Sequence, residues 1–175
     1  FLSLYARASQ FSLPASPSQI AKRPMMDRWI ISELHQVIEG IDNALENFDS
    51  QGAGKLLATF IDDLSNWYVR RSRRRFWDGD LMALETLYEC LEKLTLLMAP
   101  LVPFITEHVW QELIRPVNGS APESVHLADF PLTNKGLIDT ALSTQVAQTR
   151  RLVELGRAYR STIHLPSATT HSSVR

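Results

Sequence analysis

The sequence predicts an all-α fold, an antiparallel helical bundle, on three observations. Apolar residues recur at three- and four-residue steps through four successive segments, the period of a helix with one buried face. The breaks between those segments carry turn, capping and helix-stopping residues: Ser50, Asp78-Gly79-Asp80, Pro100, Pro103 and Pro116. The links are short, so successive helices must run antiparallel, and pairing their stripes is the simplest way to bury them. With 175 residues, of which 45% are apolar, the chain can bury a sizeable core as one domain with flanking tails. There is no internal repeat.

Residues 1–24 come first. The chain opens on Phe1-Leu2-Ser3-Leu4, without a methionine and already apolar, and reads as part of a longer polypeptide. Residues 9–24 hold three of the nine prolines and four serines, the composition of an extended connector. The bundle proper is expected over residues 25–115. A first helix over 27–48 takes Asp27 as its N-cap and Trp29, Ile30, Leu34, Val37, Ile38, Ile41, Leu45 and Phe48 as its stripe. A second, over 51–76, buries Leu56, Leu57, Phe60, Leu64, Trp67 and Tyr68. A third, over 80–99, buries Leu81, Leu84, Leu87, Tyr88, Leu91, Leu94 and Met98. Pro103 suits the first turn of a fourth, over 103–115, with Phe104, Ile105, Val109, Trp110, Leu113 and Ile114 inward. Residues 116–160 read as loop, one short strand at 124–127, and a final helix from about Gly136 to Arg160. Residues 161–175, rich in Ser and Thr and without periodicity, read as a disordered tail.

Composition narrows the function. Lys and Arg number 18 against 19 Asp and Glu, a net charge of −1, which excludes a globally basic nucleic-acid clamp while leaving room for a local patch. The lone Cys90 excludes an intrachain disulfide and an all-cysteine zinc site. No apolar run reaches the roughly 18 residues of a membrane helix, and no signal peptide is recognisable, so a cytoplasmic setting without a membrane partner is expected.

The patch lies at residues 66–77, NWYVRRSRRRFW, where five of the 18 basic residues fall within residues 70–75. On an uninterrupted helix at about 100° per residue, Arg71 and Arg75 share the face of Leu57, Leu64 and Tyr68. Arg70, Arg73 and Arg74 point away from it. Arg70, Arg73 and Arg74 are therefore the candidates for phosphate contact, and Trp67, Tyr68, Arg71, Arg75, Phe76 and Trp77 the candidates for packing or an interface. Two readings fit this pattern. One is an RNA-backbone patch with aromatics beside it. The other is a helix end whose positive charges complement the dipole and pair with neighbouring acids or a docking protein.

Other candidate chemistry is sparse. His35 and Glu39 stand at i, i+4 without a third metal ligand, so no metal site is expected. Asp62-Asp63 and Asp78-x-Asp80 suit helix surface and capping better than acid–base work. Gly52-Ala53-Gly54-Lys55 lacks the spacing of a phosphate loop. His108 has no nucleophile to serve, and Cys90 sits beside an apolar stripe as filler. No catalytic residue is assigned.

In order and spacing, DRWIISEL, SNWYVRRSRRRFW, MAPLVPFITEHVW and SVHLADFP resemble the anticodon-binding domain of class I aminoacyl-tRNA synthetases. Asn66-Trp67-Tyr68 followed by RRSRRRFW is most similar to the isoleucyl family, with the valyl enzyme as the alternative. The resemblance covers about residues 1–160 and makes residues 1–8 the end of a helix. It implies a helical bundle that holds tRNA, a neighbouring catalytic domain as second partner, and ATP and magnesium used by that domain. The family's His-Ile-Gly-His and Lys-Met-Ser-Lys-Ser signatures are not found here, so no cofactor is expected in this chain. The residues after Arg160 depart from the family's pattern.

Overall fold

The computed structural model describes residues 18–162. The helix end expected at 1–8, the connector over 9–17 and the tail beyond residue 162 lie outside the described residues. The fold is all-α: α1 is Met25–Glu46, α2 Ser50–Asp62, α3 Arg70–Trp77, α4 Leu81–Met98, α5 Pro103–Val109 and α6 Thr140–Thr162. A π-helical turn, Asp63–Val69, joins α2 to α3 without a break, and a second, Trp110–Ile114, extends α5. Two compact units result, one ending at Asp139 and the other beginning at Thr140.

In the first unit α1 packs along α2, the π-helical turn and α4. Trp29, Ile30, Leu34, Ile38 and Ile41 of α1 are buried, as are Leu57, Phe60, Leu64, Tyr68, Leu84, Leu87 and Leu97 of the facing elements. Each such side chain contributes roughly 1.5–3 kcal/mol. Cys90 is fully buried, and burial pushes its thiol well above the ordinary pKa.

Several details depart from the sequence reading. Asp27 is not the N-cap: Pro24 takes that position, and Asp27 lies in the first turn with no solvent exposure. Phe48 is 95% exposed. It falls beyond the end of α1 in the left-handed region (φ 58°), where the Asp49 amide donates to the Ala44 carbonyl across the reversal. Asp49 then caps α2 by accepting from the Gly52 amide at 2.8 Å, and a Cβ on residue 52 would collide with that carboxylate. Gly52 thus serves a helix cap. In α5 Phe104 and Ile105 are exposed, while Thr106, Trp110 and Ile114 face inward at four-residue steps.

The strand expected at 124–127 is a 3-10 turn, Val125–Leu127. Side chains take the groups a ladder would use: Glu107 accepts from the Val125 amide at 3.0 Å and the Ser124 hydroxyl at 2.8 Å, and Ser124 Oγ accepts from the His126 amide. Residues 116–139 are strapped down elsewhere too. Trp110 Nε1 donates to the Pro122 carbonyl at 2.9 Å, the Asn134 amide to His35 Nδ1 at 3.2 Å, and the Asp139 amide to Ser32 Oγ at 2.8 Å. Burial, reinforced by the charge of Lys93, holds His35 below its ordinary pKa, the state in which Nδ1 accepts. Glu39 meets Lys135 at 3.1 Å. The i, i+4 pair His35 and Glu39 thus holds the loop. The last helix starts at Thr140 because residues 135–137 form a 3-10 turn capped by Asn134.

Candidate nucleic-acid interface

Arginines dominate α3, with five among eight residues and no acid. Four-residue steps govern how they point. Phe60, Leu64, Tyr68, Ser72 and Phe76 are all buried, and an α-helix at 3.6 residues per turn cannot keep such steps on one face for long. The π-helical turn absorbs the surplus by adding one residue, which rotates everything after it by about 100°. Ser72 therefore takes the inward place that uninterrupted geometry gives Arg71, and Phe76 takes that of Arg75.

The predicted division of the arginines changes accordingly. Arg70, Arg73 and Arg74 are exposed, as the wheel requires. Arg74 makes only a loose pair with Asp78, 3.8 Å away, and its side chain is 94% exposed. Arg71 is exposed too, which corrects the expectation that it packs against the protein. Its guanidinium lies over the half-buried Trp67 ring, 4.0 Å from the centroid. Trp77 is 68% exposed and does not join this unit's core, whereas Phe76 and Tyr68 meet edge to face inside it, centroids 6.1 Å apart.

Arg75 is held between two carboxylates. Its Nε donates to Asp80 at 2.8 Å, and its two terminal nitrogens donate to the two oxygens of Asp27 at 2.6 and 2.9 Å. Tyr68 Oη donates to the same Asp27 at 3.0 Å, with the Ala83 carbonyl at 3.3 Å. Asp80 in turn caps α4 by accepting from the Ala83 amide. One guanidinium thus binds the start of α1, the end of α3 and the start of α4. Hydrogen bonding to Asp27 raises the Arg75 pKa further, and burial raises that of Tyr68. Burial works against the Asp80 carboxylate, but its bonds from Arg75 and the Ala83 amide outweigh this, and its pKa lies below the ordinary value.

Sequence reasoning missed Asp27, read as a cap, and Ser72; the unbroken four-residue repeat from Phe60 to Phe76 is the signal that finds the second. The resulting surface has four exposed guanidinium groups on a helix clamped at its last turn. Such a surface is electrostatically complementary to polyanions.

The family model for the anticodon-binding domain of tRNA ligase matches residues 27–174. The chain is 60% identical over 169 residues to the isoleucine–tRNA ligase of Thermobifida fusca, covering 91% of this chain and 16% of that ligase. It is 57% identical over 161 residues to that of Streptomyces avermitilis, covering 92% and 15%. Against the Thermus thermophilus ligase it is 42% identical over 152 residues, covering 83% and 15%. The chain thus spans about one sixth of the length of these relatives. Bundle, basic helix and comparisons agree: the chain belongs to the family of anticodon-binding domains of tRNA ligases, of the isoleucine–tRNA ligase type.

Proposed function

We propose that this chain is the tRNA-holding module of an isoleucine–tRNA ligase working in the cytoplasm, gripping the anticodon arm through the sugar–phosphate backbone. The observation that carries the reading is the asymmetry within α3: Arg75 is tied to two carboxylates, while Arg70, Arg73 and Arg74 stand in solvent on the same rigid helix. A structural helix end needs no such surplus of exposed positive charge. Holding the body of a tRNA fixes where its distant 3′ end lies, and misplaced reacting atoms are slow to react. Activation of isoleucine with ATP and magnesium belongs, on this reading, to regions outside the chain.

The test is tRNA affinity across a salt series. Arg73→Ala and Arg74→Ala are each expected to weaken binding and to lower the salt slope by about one phosphate's worth, with melting unchanged. Salt-independent binding, or affinity indifferent to both substitutions, would refute the phosphate contacts. A second reading is favoured by Trp77 and Leu81, 68% and 62% exposed on either side of one turn. It makes that end of the bundle a docking point for the rest of the ligase, and Trp77→Ala would then weaken association with the catalytic region while sparing tRNA affinity.

A further inference from the structure

The rotation imposed by the π-helical turn brings Arg71 out of the packing face and lays it on Trp67, 4.0 Å from the ring centroid. Arg71 is exposed, and among the described residues no carboxylate stands within ion-pairing distance of it. It thus differs in kind from its neighbours. Arg75 is spent on carboxylates, and Arg70, Arg73 and Arg74 reach into solvent. A guanidinium lying on an indole has one face occupied and the other open. That open face is planar, delocalised and weakly hydrated. Unpaired RNA bases stack on such planes. The contact with the indole also restrains the guanidinium before anything binds, which reduces the ordering cost of binding. Arg70 and Arg74, adjacent in sequence and one turn on, supply charge for the phosphates that flank a stacked base.

We propose that Arg71, held on Trp67, is a stacking platform for one unpaired nucleobase of the bound RNA, separate in kind from the phosphate contacts of Arg70, Arg73 and Arg74. The inference rests on the tRNA-holding reading above. It also gives the π-helical turn a purpose, since π-bulges gather at functional sites.

The experiment uses the full 175-residue chain, an isoleucine-accepting tRNA transcript, and anisotropy measured over a salt series. Arg71→Lys keeps the charge and removes the plane. It is expected to weaken binding about tenfold with the salt slope unchanged, whereas Arg73→Ala lowers the slope. Transcripts carrying 2-aminopurine at single unpaired anticodon-loop positions provide the direct readout. One position is expected to be quenched by the parent chain and released in Arg71→Lys. Arg71→Lys binding within twofold of the parent at every salt, with no position of 2-aminopurine distinguishing the two, overturns the platform. If Arg73→Ala still weakens binding in that case, the tRNA-holding reading survives without it. A parent chain that shows no salt-dependent binding of the transcript removes both.

Discussion

Asp27 is wholly buried and meets a guanidinium whose side chain is 25% exposed, so the pair cannot be treated as a surface ion pair. Removing one partner leaves a buried carboxylate with the Tyr68 hydroxyl for company. Arg75→Ala is therefore expected to destabilise the chain by about 3–5 kcal/mol. Arg75→Lys should recover little, because one ammonium cannot reach both oxygens of Asp27 and Asp80 together. Arg73→Ala, a few residues away, should stay within about 0.5 kcal/mol of the parent. Thermal melting of the three variants checks this, and coincident melting curves would show that the clamp contributes nothing. The clamp also carries a pH signature. Asp80 has a depressed pKa in the folded chain, so its contribution is present above the unfolded carboxylate pKa and is lost as pH falls through the folded value. Melting temperature should accordingly drop on acidification below about pH 4. Asp80→Asn, which keeps a competent cap, should flatten that drop, and an unaltered acid profile in this variant would refute the linkage.

Among the helices, the informative feature is the π-helical turn, for it separates two kinds of deletion. Ser65 is exposed within the turn. Deleting it should yield a regular α-helix with Tyr68, Ser72 and Phe76 still inward, within about 1 kcal/mol of the parent. Deleting Arg73 instead rotates Phe76 out of the core and should destabilise by about 3–5 kcal/mol. Circular dichroism melts of the two deletions decide, and the reverse order of stability would mean that the surplus residue lies elsewhere. The same turn marks where reading the sequence succeeded and where it stopped. The stripes of α1 and α4 were legible because their periods are uninterrupted. In the stretch from Phe60 to Phe76 the repeat was visible, but Ser72 is polar and Arg71 fits a continuous wheel, so composition argued for the wrong residue. Asp27 was misread for another reason: an acid at the start of a helix suits a cap, and its real partner lies 48 residues away. The strand at 124–127 failed because side chains of Glu107 and Ser124 claimed the backbone groups.

For the molecule as a whole, net charge conceals a segregation. α1 carries Asp27, Glu33, Glu39, Asp42 and Glu46 against Arg28, while α3 carries five arginines and no acid. A chain of net charge −1 can therefore present a local positive field and orient an approaching polyanion toward one helix. α6 adds Arg150, Arg151, Arg157 and Arg160 against Glu154 within its own unit. The family was legible through short motifs whose order and spacing the sequence displays. The division of labour among the arginines was not, because it depends on which of them finds a carboxylate.

The clamp at Arg75 also sets the order in which this surface comes into being. Its bonds to Asp27 close a loop of 48 residues, and the Tyr68 bond closes one of 41. Such closures carry an entropic penalty that helix-local bonds do not, and they are repaid late, when packing has already brought the ends together. An arginine-rich helix can thus form early by local bonding, yet its direction is settled only when α1 and α4 have both arrived. The orientation of the basic surface is in this sense settled last: a partly unfolded chain would carry the same positive charge without its fixed direction.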